Sequence, residues 1–316
     1  MRDYLTYAAE QCIDCGLCSK VQAYEGLPEH SLRSLIIHKD QAHVYSCSLC
    51  GRCTAHCPRE LDYPRAVRLL RAADPHPEWF SDYQVDGSDD FFRRTRREQA
   101  NPLTEQPCGR RLFWPGCTLA TFYPELVEKA VELLGGPALT LHCCGNPLES
   151  AGLRARLKDY RQKVLGQLEA YDELIVGCPN CMFALDQFVF ASPRLTSLPQ
   201  ALLDAGIRYQ GPQLKLTFHD SCPDRRRALF AKPLRQIFAD CELVDLVHQG
   251  LDSRCCGLGG LCAVYDAKLA FSRTDQRLAE FTQSGAEQVL CACANCSNAF
   301  QQSQSALPVE HFLTLL

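Results

Sequence analysis

No part of this 316-residue chain is apolar for long enough to cross a bilayer. Its hydrophobic runs last only a few residues, against the roughly 18 to 20 that a helical span needs. The opening segment, MRDYLTYAAEQCIDCG, has no apolar h-region, so the chain is expected to be cytoplasmic and to reach the inner face of a membrane only through a partner. Excess charge is also missing: 33 Lys and Arg against 37 Asp and Glu leave −4, which gives no electrostatic footprint for nucleic acid. The glycine-rich CCGLGG lacks G-x-G-x-x-G spacing, so no nucleotide site is read from it. With 46% hydrophobic and 22% charged residues, neither a disordered chain nor a collagen-like fibre fits.

What is present in excess is cysteine, 21 residues of it. The number is odd, and Cys143-Cys144 and Cys255-Cys256 are sequence neighbours, too close to be bridged easily, so a disulfide framework is a poor fit. Without a secretory signal, thiol clusters are expected to bind metal or act in catalysis, and soft thiolates favour zinc or iron-sulfur clusters.

Cys12, Cys15 and Cys18 form C-x2-C-x2-C; Cys47, Cys50, Cys53 and Cys57 form C-x2-C-x2-C-x3-C before Pro58. The second run matches the bacterial ferredoxin pattern, in which the fourth cysteine ligates the other cluster. Crossing the ligands gives one complete set for a cubane [4Fe-4S] cluster, Cys12, Cys15, Cys18 and Cys57. The other set holds only Cys47, Cys50 and Cys53, because Gln22 occupies the fourth position. That second ferredoxin-type site is expected to be occupied but atypical: [3Fe-4S], or [4Fe-4S] completed by water, Glu25, His30 or His43, with an empty site as the alternative. His56 reads as a surface or packing residue. EHSLRSLIIHKD and DYPRAVRLLRAA both carry apolar residues at helical spacing, so residues 1–73 are expected to form an α-helical ferredoxin module. Residues 74–107, with the basic run FFRRTRREQ, read as a linker.

The remainder is a repeat. Cys117, Cys143-Cys144-Gly145 and GCPNC with Cys178 and Cys181 recur as Cys222, Cys255-Cys256-Gly257 and ACANC with Cys293 and Cys296. RLFWPGC, ALTLHCCG, ELIVGCPNC, LKLTFHDSC and EQVLCACANC read as short strands running into cysteine. YPELVEKAVELL and AKLAFSRTDQRLAEF read as helices between them. The expected class is therefore α/β: the helical module followed by two pseudo-twofold-related cysteine-rich domains, 108–210 and 211–316, with thiols at the carboxyl ends of parallel strands. Five thiolates per half exceed the four of tetrahedral zinc; a zinc-based structural protein remains the contrasting class.

The paired CCG motifs with their flanking cysteines resemble the cysteine-rich catalytic subunit of heterodisulfide reductase, and the first module resembles its small ferredoxin-like subunit, as if the two were fused. The resemblance implies two non-cubane [4Fe-4S] clusters facing one another across a cavity where a disulfide is split. It places one on Cys117, Cys143, Cys144, Cys178 and Cys181, and the other on Cys222, Cys255, Cys256, Cys293 and Cys296. It implies an oxidoreductase subunit that passes electrons from a flavoprotein or other redox partner through the ferredoxin module to a small disulfide or thiol substrate. Wider relatives serve glycolate, lactate or glycerol-3-phosphate oxidation, so the alternative is a relay between a flavoprotein dehydrogenase and a quinone or other carrier. Cys108, Cys241, Cys262 and Cys291 read as bystanders, Cys241 and Cys291 in apolar strand-like segments. His142 and His219 could donate to a cluster or to a leaving thiolate, and Arg225, Arg226, Arg227 and Arg254 could meet an anionic substrate. The arginine triplet looks like the start of a helix.

Overall fold

A computed structural model describes residues 3–75, 110–189, 193–303 and 305–316. Cys108, the basic run FFRRTRREQ and most of the expected linker lie outside the described residues.

The first segment is helical: α1 (Tyr4–Gln11), α2 (Leu17–Tyr24), α3 (Leu32–His38), α4 (Gln41–Ser46), α5 (Arg52–Ala55) and α6 (Tyr63–Ala73). Side-chain caps fix several starts. Ser31 accepts from the Ser34 N–H, Asp40 from Ala42 and His43, and Asp62 from Arg65. The two C-G-x-C segments turn alike, Gly16 and Gly51 both standing at φ 73 ahead of α2 and α5, a conformation that favours glycine.

Two four-stranded parallel sheets follow. The first half runs β1 (Arg111–Trp114), α7 (Cys117–Phe122), α8 (Pro124–Leu133), β2 (Ala138–Leu139), α9 (Asn146–Ser150), α10 (Arg154–Leu168), β3 (Glu173–Val176), α11 (Pro179–Leu185), β4 (Arg194–Ser197) and α12 (Leu198–Asp204). The second runs β5 (Lys215–His219), α13 (Ala231–Ile237), β6 (Glu242–Leu243), α14 (Cys262–Tyr265), α15 (Ala267–Gln283), β7 (Gln288–Cys291), α16 (Ala294–Gln302) and β8 (Val309–His311). Strand orders β2-β1-β3-β4 and β6-β5-β7-β8 are the same, so the cysteine repeat is also a repeat of topology. The central strands read as nearly continuous apolar runs because helices cover both sheet faces. Leu112, Phe113 and Trp114 are buried alongside Leu174, Ile175 and Val176.

Three sequence expectations change. ALTLHCCG pairs only at Ala138–Leu139, Cys241 lies in a bend before β6 rather than in a strand, and Arg225–Arg227 do not open a helix. The chain makes a 3-10 turn at Cys222–Asp224, and the Asp224 carboxylate then accepts the Leu229, Phe230 and Ala231 N–H groups at 2.6, 2.9 and 2.8 Å. That cap delays α13 to Ala231 and leaves the three arginines on a turn.

Buried charge against backbone ties the helical segment to the sheets. Arg71 is fully buried and donates to the carbonyls of Val44, Tyr45 and Cys47, of Ser150 in the first half, and of Gly260 in the second. Arg273 of α15 donates to Glu25 O at 2.8 Å and Ser46 O at 3.0 Å. Arg52 pairs with Asp252 at 2.9 Å. Leu269 packs into the apolar core of the helical segment. Among the described residues, no helix is long and apolar enough to cross a membrane.

Candidate metal centre

In both halves the cysteines fall at the carboxyl ends of the strands. Cys117 opens α7 after β1, Cys143 and Cys144 follow β2, and Cys178 precedes α11 after β3. Cys222, Cys255, Cys256 and Cys293 repeat the arrangement. Gly116 is required here by close approach: it has φ 88, and a Cβ on it would lie 2.9 Å from the Cys178 Cβ and 3.3 Å from the Cys181 Sγ. In each CCG motif the glycine N–H donates to the first thiol, Gly145 to Cys143 at 3.5 Å and Gly257 to Cys255 at 3.4 Å.

The ten thiols form one continuous file. Neighbouring thiols perturb one another's acidity in series, from Cys117 through Cys143, Cys144, Cys181 and Cys178 across to Cys293, and on through Cys296, Cys256, Cys255 and Cys222. The crossing point is braced by the Asn180 amide, whose Nδ2 lies 3.8 Å from the Cys293 Sγ. Hydrogen bonds from Cys222 and Cys178 hold the Cys255 and Cys293 thiols well below the usual thiol range; Cys222 and Cys296 are pushed up by the thiols they serve. Among the described residues no three His, Cys, Asp or Glu side chains close on a single point as one metal ion requires. An all-sulfur donor set, grouped in fives with glycine N–H groups aimed at it, suits a polynuclear iron-sulfur group better than a tetrahedral ion.

The N-terminal thiols line two neighbouring cavities. Cys12, Cys15, Cys18 and Cys57 line one small cavity. Cys47, Cys50 and Cys53 line another together with Gln22 and Glu25. Cys53 and Tyr63 border both. Of the candidate fourth ligands, Glu25 alone stands on that second cavity. His30 is bonded to Asp40 at 3.1 Å and Ser34 at 3.3 Å, and His43 meets the Tyr63 hydroxyl at 3.0 Å. The Ser48 side chain hydrogen-bonds Cys255, so the N-terminal triplet abuts the second half's cysteines.

A cavity of about 280 Å³ opens where the three segments meet. Cys50, Cys222, Cys256 and Cys296 line it, with Arg68 and Arg225–Arg227 facing Asp62 and Asp186. Arg227 is paired with Asp186 at 2.7 Å and Arg225 donates through Nη1 and Nη2 to the Leu251 and Cys50 carbonyls, whereas the buried Nε atoms of Arg68 and Arg225 have no partner among the described residues. Arg254 is not part of this cavity and lies 3.9 Å from Glu280. Asn146, Asn180 and Asn295 also line it and were missed by the sequence reading; the signal was the asparagine repeated before the last cysteine of CPNC and CANC.

His219 receives the Arg277 Nε–H at its Nδ1, 3.4 Å away, which leaves the ring N–H on Nε2. It sits edge-on to Phe281 and Phe300, and burial followed by the Arg277 charge pushes it down to about 3, so it is neutral near pH 7. His142 is exposed beside Trp114. Cys262 is fully buried with its Sγ 3.2 Å from Arg273, and Cys291 is fully buried in β7. Cys241 is buried in its bend.

Asp220 fixes the approach to Cys222. Burial raises its carboxyl, but the Arg235 fork at 2.8 and 3.2 Å and the Gly250 N–H at 2.9 Å outweigh that and hold it below the usual carboxylate range. A depressed folded value contributes stability above the unfolded pKa of about 3.9 and loses it as pH falls through the folded one. Asp220→Asn is therefore expected to cost about 2 kcal/mol at pH 7, and urea unfolding of mutant and wild type should converge toward pH 2. A gap that persists unchanged in acid would refute this.

The sequence pattern of one family, the CCG cysteine-rich domain, matches residues 111–186 and 216–301, slightly more than half of the chain. An uncharacterized iron-sulfur protein of Methanocaldococcus jannaschii is 23% identical over 69% of this chain and 48% of its own length. A second, from Methanococcus maripaludis, is 22% identical over 96% of this chain and 69% of its own. One subunit of the fumarate reductase (CoM/CoB) of Methanothermobacter marburgensis is 23% identical over 80% of this chain and 56% of its own. The chain thus spans about half to two thirds of the length of these relatives.

Proposed function

The chain belongs to the CCG cysteine-rich domain family, and from that premise we propose that it is an iron-sulfur electron-transfer subunit of the heterodisulfide reductase type that reduces a disulfide. The observation that carries this reading is the file of ten thiols joining both halves beside a cavity that also touches the N-terminal cysteines. Cys117, Cys143, Cys144, Cys178 and Cys181 would hold one non-cubane [4Fe-4S] cluster; Cys222, Cys255, Cys256, Cys293 and Cys296 would hold the other. Cys12, Cys15, Cys18 and Cys57 would hold a cubane, and Cys47, Cys50 and Cys53 a further cluster, making residues 1–73 a ferredoxin module ahead of two cysteine-rich domains, 108–210 and 211–316. Bound there, such groups supply the one-electron steps that amino-acid side chains do not.

The chain's own residues do the rest. Cys222, Cys256 and Cys296 line the cavity, so a substrate sulfur would meet the second half's thiol set, and the positive charge of Arg68, Arg225, Arg226 and Arg227 on the same walls favours an anionic substrate. Splitting one S–S bond consumes two electrons and two protons and releases two thiols. The electrons come from a flavoprotein or other redox partner, since no flavin or nicotinamide fold is read from the sequence.

Anaerobic purification with iron and sulfide analysis, followed by EPR through a redox titration with and without disulfides, tests this. About 16 irons per chain, from four clusters of four, are expected. A signal that appears only with a thiol or disulfide supports substrate at the cavity. Signals indifferent to every thiol would remove the catalytic reading and leave electron transfer, and zinc without iron would remove both.

A further inference from the structure

Position 22 is where the crossed ferredoxin pattern asks for a fourth cysteine, and the structure shows what glutamine does there instead. Gln22 is 2% exposed on the wall of the cavity formed with Cys47, Cys50 and Cys53. Its Oε1 accepts the backbone N–H of His30 at 3.1 Å. Turning the amide over would set two donors against each other, so the bond fixes which end faces the cavity. That end is the Nε2, which is buried. The Tyr63 oxygen can take at most one of its two hydrogens, so at least one is left to give. An amide NH2 has no lone pair available for iron; it is a donor, suited to an anionic sulfur.

Glu25 lies three residues on, just past the end of α2, and lines the same cavity. Its carboxylate is 7% exposed and looks at first to be consumed by two arginines. The distances say otherwise. Arg52 Nη1 donates one long hydrogen bond to Oε1 at 3.4 Å and Arg273 Nε stands 3.8 Å from Oε2, both beyond the about 2.8 Å of a strong charge-assisted bond. Both arginines also bond to other groups, Arg52 to Asp252 at 2.9 Å and Arg273 to the Glu25 and Ser46 carbonyls at 2.8 and 3.0 Å. The carboxylate is thus held in place and neutralised at a distance while keeping lone pairs for another partner. Three thiolates and one carboxylate also carry the same ligand charge as four thiolates.

We propose that Glu25 supplies the oxygen ligand that completes a four-iron cluster on Cys47, Cys50 and Cys53, with the Gln22 amide donating a hydrogen bond to it. The assignment rests on the iron-sulfur reading above. It selects one of the three side chains that spacing left open, and it makes this site the one N-terminal cluster with a hard ligand at one corner, the corner most readily lost to oxidation.

The test uses the full chain, purified and handled anaerobically. Glu25→Gln, nearly isosteric, is expected to lose about one iron per chain and to gain the near-isotropic EPR signal of an oxidised three-iron cluster. Gln22→Cys added to that variant should restore the iron and remove the signal. Gln22→Cys alone should leave the iron count of the wild type unchanged, because the site is already complete. The proposal is overturned if the wild type as purified carries the three-iron signal at full intensity, if Glu25→Gln changes neither iron nor spectrum, or if Gln22→Cys alone adds an iron. A chain that binds no iron at all would instead bring down the reading on which the assignment rests.

Discussion

Gly257→Ala should destabilise the chain by about 3 kcal/mol or more, while Gly145→Ala at the equivalent position of the first half should cost about 1 kcal/mol. Both glycines close a CCG motif and both have positive φ, at 96 and 76. What their added methyl groups meet differs. At Gly257 a Cβ would lie 2.1 Å from the Ala270 carbonyl oxygen and 2.8 Å from the Thr274 Oγ1. Those atoms belong to α15, a 17-residue helix whose Thr274 hydroxyl already donates to the Cys256 carbonyl at 2.7 Å. Backbone inside a packed helix has nowhere to go, so the CCG turn must move and carry Cys255 and Cys256 with it. At Gly145 the nearest atom is the Leu157 Cδ1 at 2.6 Å, the far end of a side chain that can rotate. Urea unfolding checks the energies. Iron analysis checks the consequence: Gly257→Ala should lose about four irons per chain, the content of one cluster, and Gly145→Ala nearly none. Equal losses in the two variants would mean that the steric difference between the halves has no effect on their sites.

Arg71→Met is expected to cost about 4 kcal/mol or more. Five carbonyls, those of Val44, Tyr45, Cys47, Ser150 and Gly260, share this one guanidinium. A buried carbonyl left without a donor costs about 1 to 3 kcal/mol, and the losses do not add fully because the site relaxes. Replacing a buried ion pair by apolar residues can be neutral, but that case removes both charges; here the partners are backbone and stay behind. Burial lowers Arg71 only to about 10, so it remains a cation at neutral pH. Arg71→Lys keeps the charge but cannot span five acceptors and should fall between Met and wild type. Denaturant unfolding gives the order, and limited proteolysis of Arg71→Met should cut first among residues 1–73. Both variants remaining within about 1 kcal/mol of wild type would show that the helical segment is held by its apolar contacts instead.

The sequence was informative where chemistry repeats at short range. The two five-cysteine patterns and the strands that precede them were legible from spacing. Strands β4, β6 and β8 were not, because RLTS, EL and VEH are short and mixed in polarity at the outer positions of their sheets. The turn at Arg225–Arg227 was misread because basic residues after a cysteine and proline resemble a helix start, and only the fold reveals that Asp224 caps the chain further on. Arg71 was not singled out from the other arginines of DYPRAVRLLRAA. Its position four residues after Val67, on the buried stripe of α6, was the available clue, since a charge on an apolar face must find partners.

Arg71 also sets an order of events during synthesis. Its acceptor at Gly260 is 189 residues further along the chain, which at about 5 to 20 residues per second is roughly 10 to 40 s of translation. The opening helices therefore leave the ribosome long before the carbonyl that locks them exists. Throughout that interval the carbonyls of Val44, Tyr45 and Cys47 share the guanidinium without the Gly260 acceptor, and the seven cysteines of the opening segment wait on a framework that only the second half completes.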